Sequence, residues 1–122
     1  MITAVVLAPS IVLVDARTAS RTHTAGLIRN RWPDARVHES ADLAGALAEA
    51  AELAQDTHPT ELFIVDLAGA AAADTARALR ERHPSAQVAV VGGTAPAGCQ
   101  AVAAPLSPEG VEQLLALVGW EA

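Results

Sequence analysis

The chain has 122 residues, of which 52% are apolar and only 2% aromatic, and it carries a formal net charge of −6. That length gives one domain with room for a buried core, and an acidic, aromatic-poor composition argues against direct nucleic-acid binding, which needs clustered basic residues to track phosphates. The single cysteine, Cys99, excludes an internal disulfide, and no apolar run approaches the roughly 20 residues that span a bilayer.

A reducing, cytoplasmic setting is therefore the expectation, with no membrane partner. The opening "MITAVVLAPS" is apolar but lacks the basic start of a signal peptide, and Pro9 interrupts it. Every basic residue is an arginine. The chain holds no lysine at all, which bears on the chemistry below.

Residues 1–9 read as an N-terminal extension and 10–122 as the domain proper. "SIVLVDA" (10–16) is a short β-branched run, as in a strand buried on both faces. His23, Leu27, Ile28 and Arg31 recur at helical spacing between 18 and 32, and Pro33 ends that pattern. "ARVHES" (35–40) is a second strand, less apolar and so expected at a sheet edge. Ser40 then reads as the cap of a helix in which Leu43, Leu47, Ala51 and Ala54 form one stripe.

"ELFIVDL" (61–67) is the third and most apolar strand. Asp74 is the expected cap of "TARALRERH", with Ala76, Leu79 and His83 on one face and Pro84 closing it. "AQVAVVGG" (86–93) and "QAVAAPL" (100–106) are the fourth and fifth strands. "SPEGVEQLLALVG" opens with a serine cap and a proline at the first helical position, and carries Val111, Leu114, Leu115 and Val118 on one face. Strands alternating with helices over this length predict an open parallel α/β sheet with helices on both faces. In such a fold, chemistry belongs at the carboxyl ends of the strands, where Asp15 and Asp66 both fall.

The segments "IVLVDAR", "VHESADLAGALAEA", "LFIVDLAG", "RERHPSAQVAVVGG", "AVAAPL" and "SPEGVEQLL" resemble a receiver domain of bacterial two-component response regulators, over roughly residues 10–120. The resemblance implies a flavodoxin-like (CheY-like) five-stranded sheet of order 2-1-3-4-5. It also implies a small magnesium-dependent phosphoryl-transfer site. There, two acids after the first strand hold the metal and an aspartate after the third accepts the phosphoryl group. A hydroxyl after the fourth strand and a lysine after the fifth bind the product. Positive charge is needed because a carboxylate must attack an anionic donor.

Carried over residue by residue, Asp66 stands at the phosphoacceptor position and Asp15 at the first of the acidic pair. The second acid is replaced by Ala16, the hydroxyl by Gly92, with Thr94 as a slipped alternative, and the lysine by Ala104. Pro105 matches the proline that the family holds in a cis bond. Without lysine, no other alignment restores the cation. Arg17, beside the acid site, is the nearest substitute, and its plain reading is a surface arginine screening Asp15. The resemblance therefore implies an atypical receiver, or pseudo-receiver, with Asp15 and Ala16 as a relic acidic pocket and no metal or other cofactor. Gly92, Ala104 and Pro105 are its degenerate switch positions.

Only twelve positions separate Gly92 from Ala104, where the family fits a whole helix. "GGTAPAGCQ" is rich in glycine and has no apolar stripe, so that fourth helix is expected to be shortened or missing. Its loss should uncover one flank of the fourth and fifth strands, to be covered by a partner, a second copy or the N-terminal "ITAVVLA". The expected function is signalling through protein–protein contact, with a protein partner or as a homodimer, independent of aspartyl phosphorylation and without enzymatic activity.

The alternatives are a working phosphoacceptor at Asp66, with Mg2+ on Asp15 and Asp66, and the N-terminal regulatory domain of a longer transcriptional regulator. "FIVDLAGAAAADTARAL" also resembles, more weakly, an anti-sigma-factor antagonist, with Asp74-Thr75 at its modified site. His23, His38, His58 and His83 show no metal-ligand spacing and read as surface or half-buried residues.

Overall fold

A computed structural model describes residues 9–119. The expectations for the N-terminal "ITAVVLA", including its covering role, lie outside the described residues. Five strands, β1 (Ser10–Asp15), β2 (Arg36–Ser40), β3 (Leu62–Asp66), β4 (Gln87–Val91) and β5 (Gln100–Val102), form one parallel sheet in the order 2-1-3-4-5. Four helices accompany them among the described residues: α1 (Thr18–Arg31), α2 (Leu43–Gln55), α3 (Ala70–Arg82) and α4 (Pro108–Leu117). No helix is long and apolar enough to cross a membrane among these residues.

The unbroken apolar runs of β1 and β3 place those strands inside the sheet, because their alternate side chains enter two different cores. Ile11, Leu13, Leu62 and Ile64 pack with Ala25 and Ile28 of α1 and Val111, Leu114 and Leu115 of α4. Val12, Val14, Phe63 and Val65 pack with Ala46, Ala50 and Leu53 of α2 and Ala72, Ala76 and Leu79 of α3. The more polar β2 lies at the edge, as its composition predicts.

Local corrections have clear physical reasons. Ser40 does not cap α2, because it is the last residue of β2, two positions before the helix cap, where its hydroxyl donates to the Leu13 carbonyl at 3.0 Å. Asp42 caps instead, its Oδ1 accepting from the Gly45 N–H at 2.8 Å. The buried stripe of α2 runs through Ala46, Ala50 and Leu53 with Leu43 and Leu47 packed beside it, while Ala51 and Ala54 are exposed. Nor does Asp74 cap α3, which begins at Ala70 after Gly69. A run of alanines has enough helix propensity to extend the helix a turn beyond any polar cap, and Asp74 pairs within it with Arg77 at 3.1 Å. Ser107 and Pro108 open α4 as predicted.

Between β4 and β5 the chain forms no helix, as the glycine-rich segment predicts. The expected bare flank does not follow for β4, whereas β5 stays largely exposed. Val88, Ala89 and Val90 are fully buried, and Ala95 and Cys99 of the connecting loop pack against the α2/α3-side core. Arg80 helps hold this region. It donates to the carbonyls of Pro84 and Ala86 at 2.7 and 3.0 Å, and its side chain lies against Gly98. In the strands themselves exposure falls at Gln87, at the start of β4, and at Gln100 and Ala101 of short β5; the loop residues Gly93, Thr94, Ala97 and Gly98 and residues 103–105 are exposed as well. Cys99 is a half-buried packing residue, its thiol pushed up by burial against the opposing pull of Arg80 and Arg77.

Candidate functional site

Parallel pairing of β1 with β3 sets Asp15 directly opposite Asp66. Both strands end there, so both carboxylates face a crevice lined also by Ala16, Arg17, Leu67, Ala68 and Ala104. Asp15 is completely buried, and Asp66 keeps 17% side-chain exposure. The Arg17 backbone N–H donates to Asp15 Oδ1 at 2.9 Å, and its Nε stands 3.4 Å from the same oxygen. Its Nη2 donates to Asp66 Oδ1 at 3.1 Å.

Arg17 thus bridges both acids from the start of α1, rather than screening Asp15 alone. Arg21 adds a bond to the Asp15 carbonyl at 2.9 Å. Asp15 Oδ2 is buried without a hydrogen-bond partner. With Arg17 67% exposed, the Arg17–Asp66 pair is a solvated ion pair of small energetic worth.

Burial pushes the Asp66 carboxyl above its ordinary value, Asp15 adds to the rise, and Arg17 opposes it. The folded chain therefore holds this proton at a pH where the unfolded chain has already released it. Stability falls as pH rises through the window between the ordinary aspartate value and the raised one. Asp66→Asn is expected to be more stable than the parent at neutral pH, with the gap closing as acid protonates the parent carboxyl. Denaturant unfolding from about pH 3 to about pH 7 measures this, and a gap that widens in acid would contradict it.

The substituted positions also converge. A Cβ built on Gly92 would stand 3.0 Å from the Ala104 Cβ, so the two positions that the resemblance assigns to the hydroxyl and the lysine lie side by side. The Ala104–Pro105 peptide is cis, as the resemblance implies. Pro105 lines a neighbouring recess with Arg17, Ser20, His23, Thr24, Asp66 and Ala104. Thr94 is not brought to the acids. It lines a separate recess with Leu67, Gly69, Ala72 and Gly93.

The magnesium that the resemblance implies fits these residues poorly. A hard cation takes several oxygen ligands. Here the second acid is Ala16, one Asp66 oxygen is held by Arg17, and a guanidinium already supplies positive charge between the carboxylates.

No family model matches the sequence, and no curated protein matches it. Solved structures do match. A response regulator receiver domain protein (CheY-like) from Methanospirillum hungatei aligns at TM-score 0.72 and 18% identity, covering 92% of this chain and 94% of that one. The Vibrio cholerae chemotaxis protein CheY4 aligns at 0.69 and 17%, covering 91% and 98%. A two component transcriptional regulator AraC from Clostridium phytofermentans aligns at 0.71 and 16%, covering 92% and 93%. The chain has the fold of CheY-like receiver domains.

Proposed function

We propose that this domain is an atypical receiver that signals through protein–protein contact, with Asp66 not serving as a phosphoacceptor. The fold supports a place in response-regulator signalling. The observation that carries the finer reading is the Arg17 guanidinium bridging Asp15 and Asp66, in a pocket whose other charged groups are replaced by Ala16 and Ala104. Phosphoryl transfer is driven almost wholly by positioned positive charge. One exposed arginine, bonded to the acceptor itself, would have to leave the acceptor to stabilise an incoming phosphoryl group. On this reading the module binds and does not catalyse, and its partner is another protein or a second copy of the chain.

The test is intact mass after incubation with Mg2+ and a small-molecule phosphodonor, with Asp66→Ala as control. The expected result is no added phosphoryl group on a folded protein. A gain that disappears in Asp66→Ala would overturn the proposal. It would favour the phosphoaccepting alternative, for which the unpartnered Asp15 Oδ2 is the supporting observation.

A further inference from the structure

A second cluster lies away from that crevice, where α2 crosses the edge strand. His38 is central in β2, opposite Val12, three positions before the end of β1 where Asp15 lies. Alternation along the strand turns His38 toward the α2 side of the sheet, together with Val12 and Ser40. Glu49 and Glu52 stand three positions apart on α2, a spacing that puts both on one helix face. One ligand atom from each of His38, Glu49 and Glu52 lies within 4.8 Å of the other two. His38 Nδ1 and Glu49 Oε2 are 2.7 Å apart.

The charges around the cluster distinguish it from an ordinary surface ion pair. Glu39, on the opposite face of β2, is held by Arg21 and Arg29. Glu112 is held by Arg31, and Asp74 by Arg77. Among the described residues Glu49 pairs only with the imidazole, and Glu52 forms no ion pair. Two carboxylates thus converge on one imidazole, and among the described residues no arginine forms an ion pair with either, Arg36 on the same face of β2 included.

We infer that His38, Glu49 and Glu52 form a site for a borderline divalent cation such as Zn2+. An imidazole beside two carboxylates suits zinc, cobalt or nickel, whereas magnesium and calcium prefer all-oxygen sites. Ligands at about 2.0–2.2 Å from a tetrahedral zinc stand about 3.4 Å from each other. To reach that spacing the half-buried Glu49 carboxylate would draw back from its 2.7 Å contact with His38 while the exposed Glu52 carboxylate swings in. Water fills the remaining position, because Glu52 opens the site to solvent. Neutral imidazole binds through one ring nitrogen, so the ion takes the place of the proton shared between His38 and Glu49. The consequence is a cross-link that fastens α2 to the edge strand β2.

Linear spacing could not show this site, because its ligands sit on two elements that meet only when α2 packs back on the sheet. The test is Zn2+ titration by calorimetry on tag-free protein, with thermal unfolding in parallel. Parent, His38→Gln, Glu49→Gln and Glu52→Gln are compared with Asp66→Asn. The expected result is one Zn2+ per chain, an unfolding midpoint raised by several degrees, and affinity lowered at least about tenfold in each cluster variant. Asp66→Asn should bind as the parent does. Circular dichroism verifies folding, and His38 ring resonances that shift on titration give a readout independent of stability. Absence of stoichiometric binding would overturn the inference, leaving a His38–Glu49 hydrogen bond and nothing more. Binding unchanged in the cluster variants, or lost only in Asp66→Asn, would overturn it equally.

Discussion

Gly92→Thr, which supplies a hydroxyl at the position where the resemblance to receiver domains implies one, is expected to destabilise the fold by about 2 kcal/mol rather than repair the pocket. Gly92 has φ of 73°, a left-handed conformation that β-branched residues adopt only under strain. Strain of that kind costs on the order of 1–3 kcal/mol. The new Cβ would also press on Ala104, 3.0 Å away. The two contributions separate experimentally. Adding Ala104→Gly relieves the contact and leaves the backbone strain, so the double variant should recover only part of the loss. Chemical denaturation of the three proteins measures this. A Gly92→Thr protein within about 0.5 kcal/mol of the parent would mean the loop re-forms easily, and the pocket would then be open to repair.

Phe63→Ala is expected to cost more, about 3–5 kcal/mol, with the unfolding midpoint falling by roughly 10–20 °C. Phe63 is the chain's single phenylalanine and is wholly buried in β3, packed in the core that α2 and α3 cover. Its neighbours there include Ala46, Ala50, Ala72 and Ala76, which are too short to reach into the space a lost ring would leave. His83, with its ring centroid 5.0 Å from that of Phe63, closes one side. Burial, with Arg82 adding to it, lowers the pKa of His83, so the neutral ring is favoured against the aromatic face. Phe63→Leu keeps most of the volume and should cost far less. An alanine variant with unchanged stability would require the helices to collapse inward, and a crystal structure or the denaturant slope would reveal that.

The order of elements was legible because it depends on patterns within short segments. The apolar runs 10–16 and 61–67 require strands with two covered faces, and the polar "ARVHES" suits an edge. Helix starts were less legible, because capping is a competition. Ser40 has the right chemistry for a cap but belongs to the end of β2, and Asp42, two residues on, takes the role. Asp74 was an apparent cap overruled by the alanines before it. A missing helix implies a bare flank along β4 and β5; β5 is largely exposed, whereas at β4 the loop brings Ala95 and Cys99 to the same surface.

At the candidate site, the departures at Ala16, Gly92 and Ala104, and the matches at Asp15 and Asp66, are what the resemblance to receiver domains implies from residue identity. Those are local facts, and a motif carries them. What Arg17 does with the two acids is not local. It depends on the register that sets Asp15 beside Asp66, and on the N-terminus of α1 aiming a guanidinium across the strand ends. The same holds for His38 with Glu49 and Glu52. Periodicity in a chain states which face of an element is buried, since that follows from the geometry of one helix or strand. Contacts between side chains of different elements follow from packing and register, and they exist only once the sheet has formed and the helices lie on it.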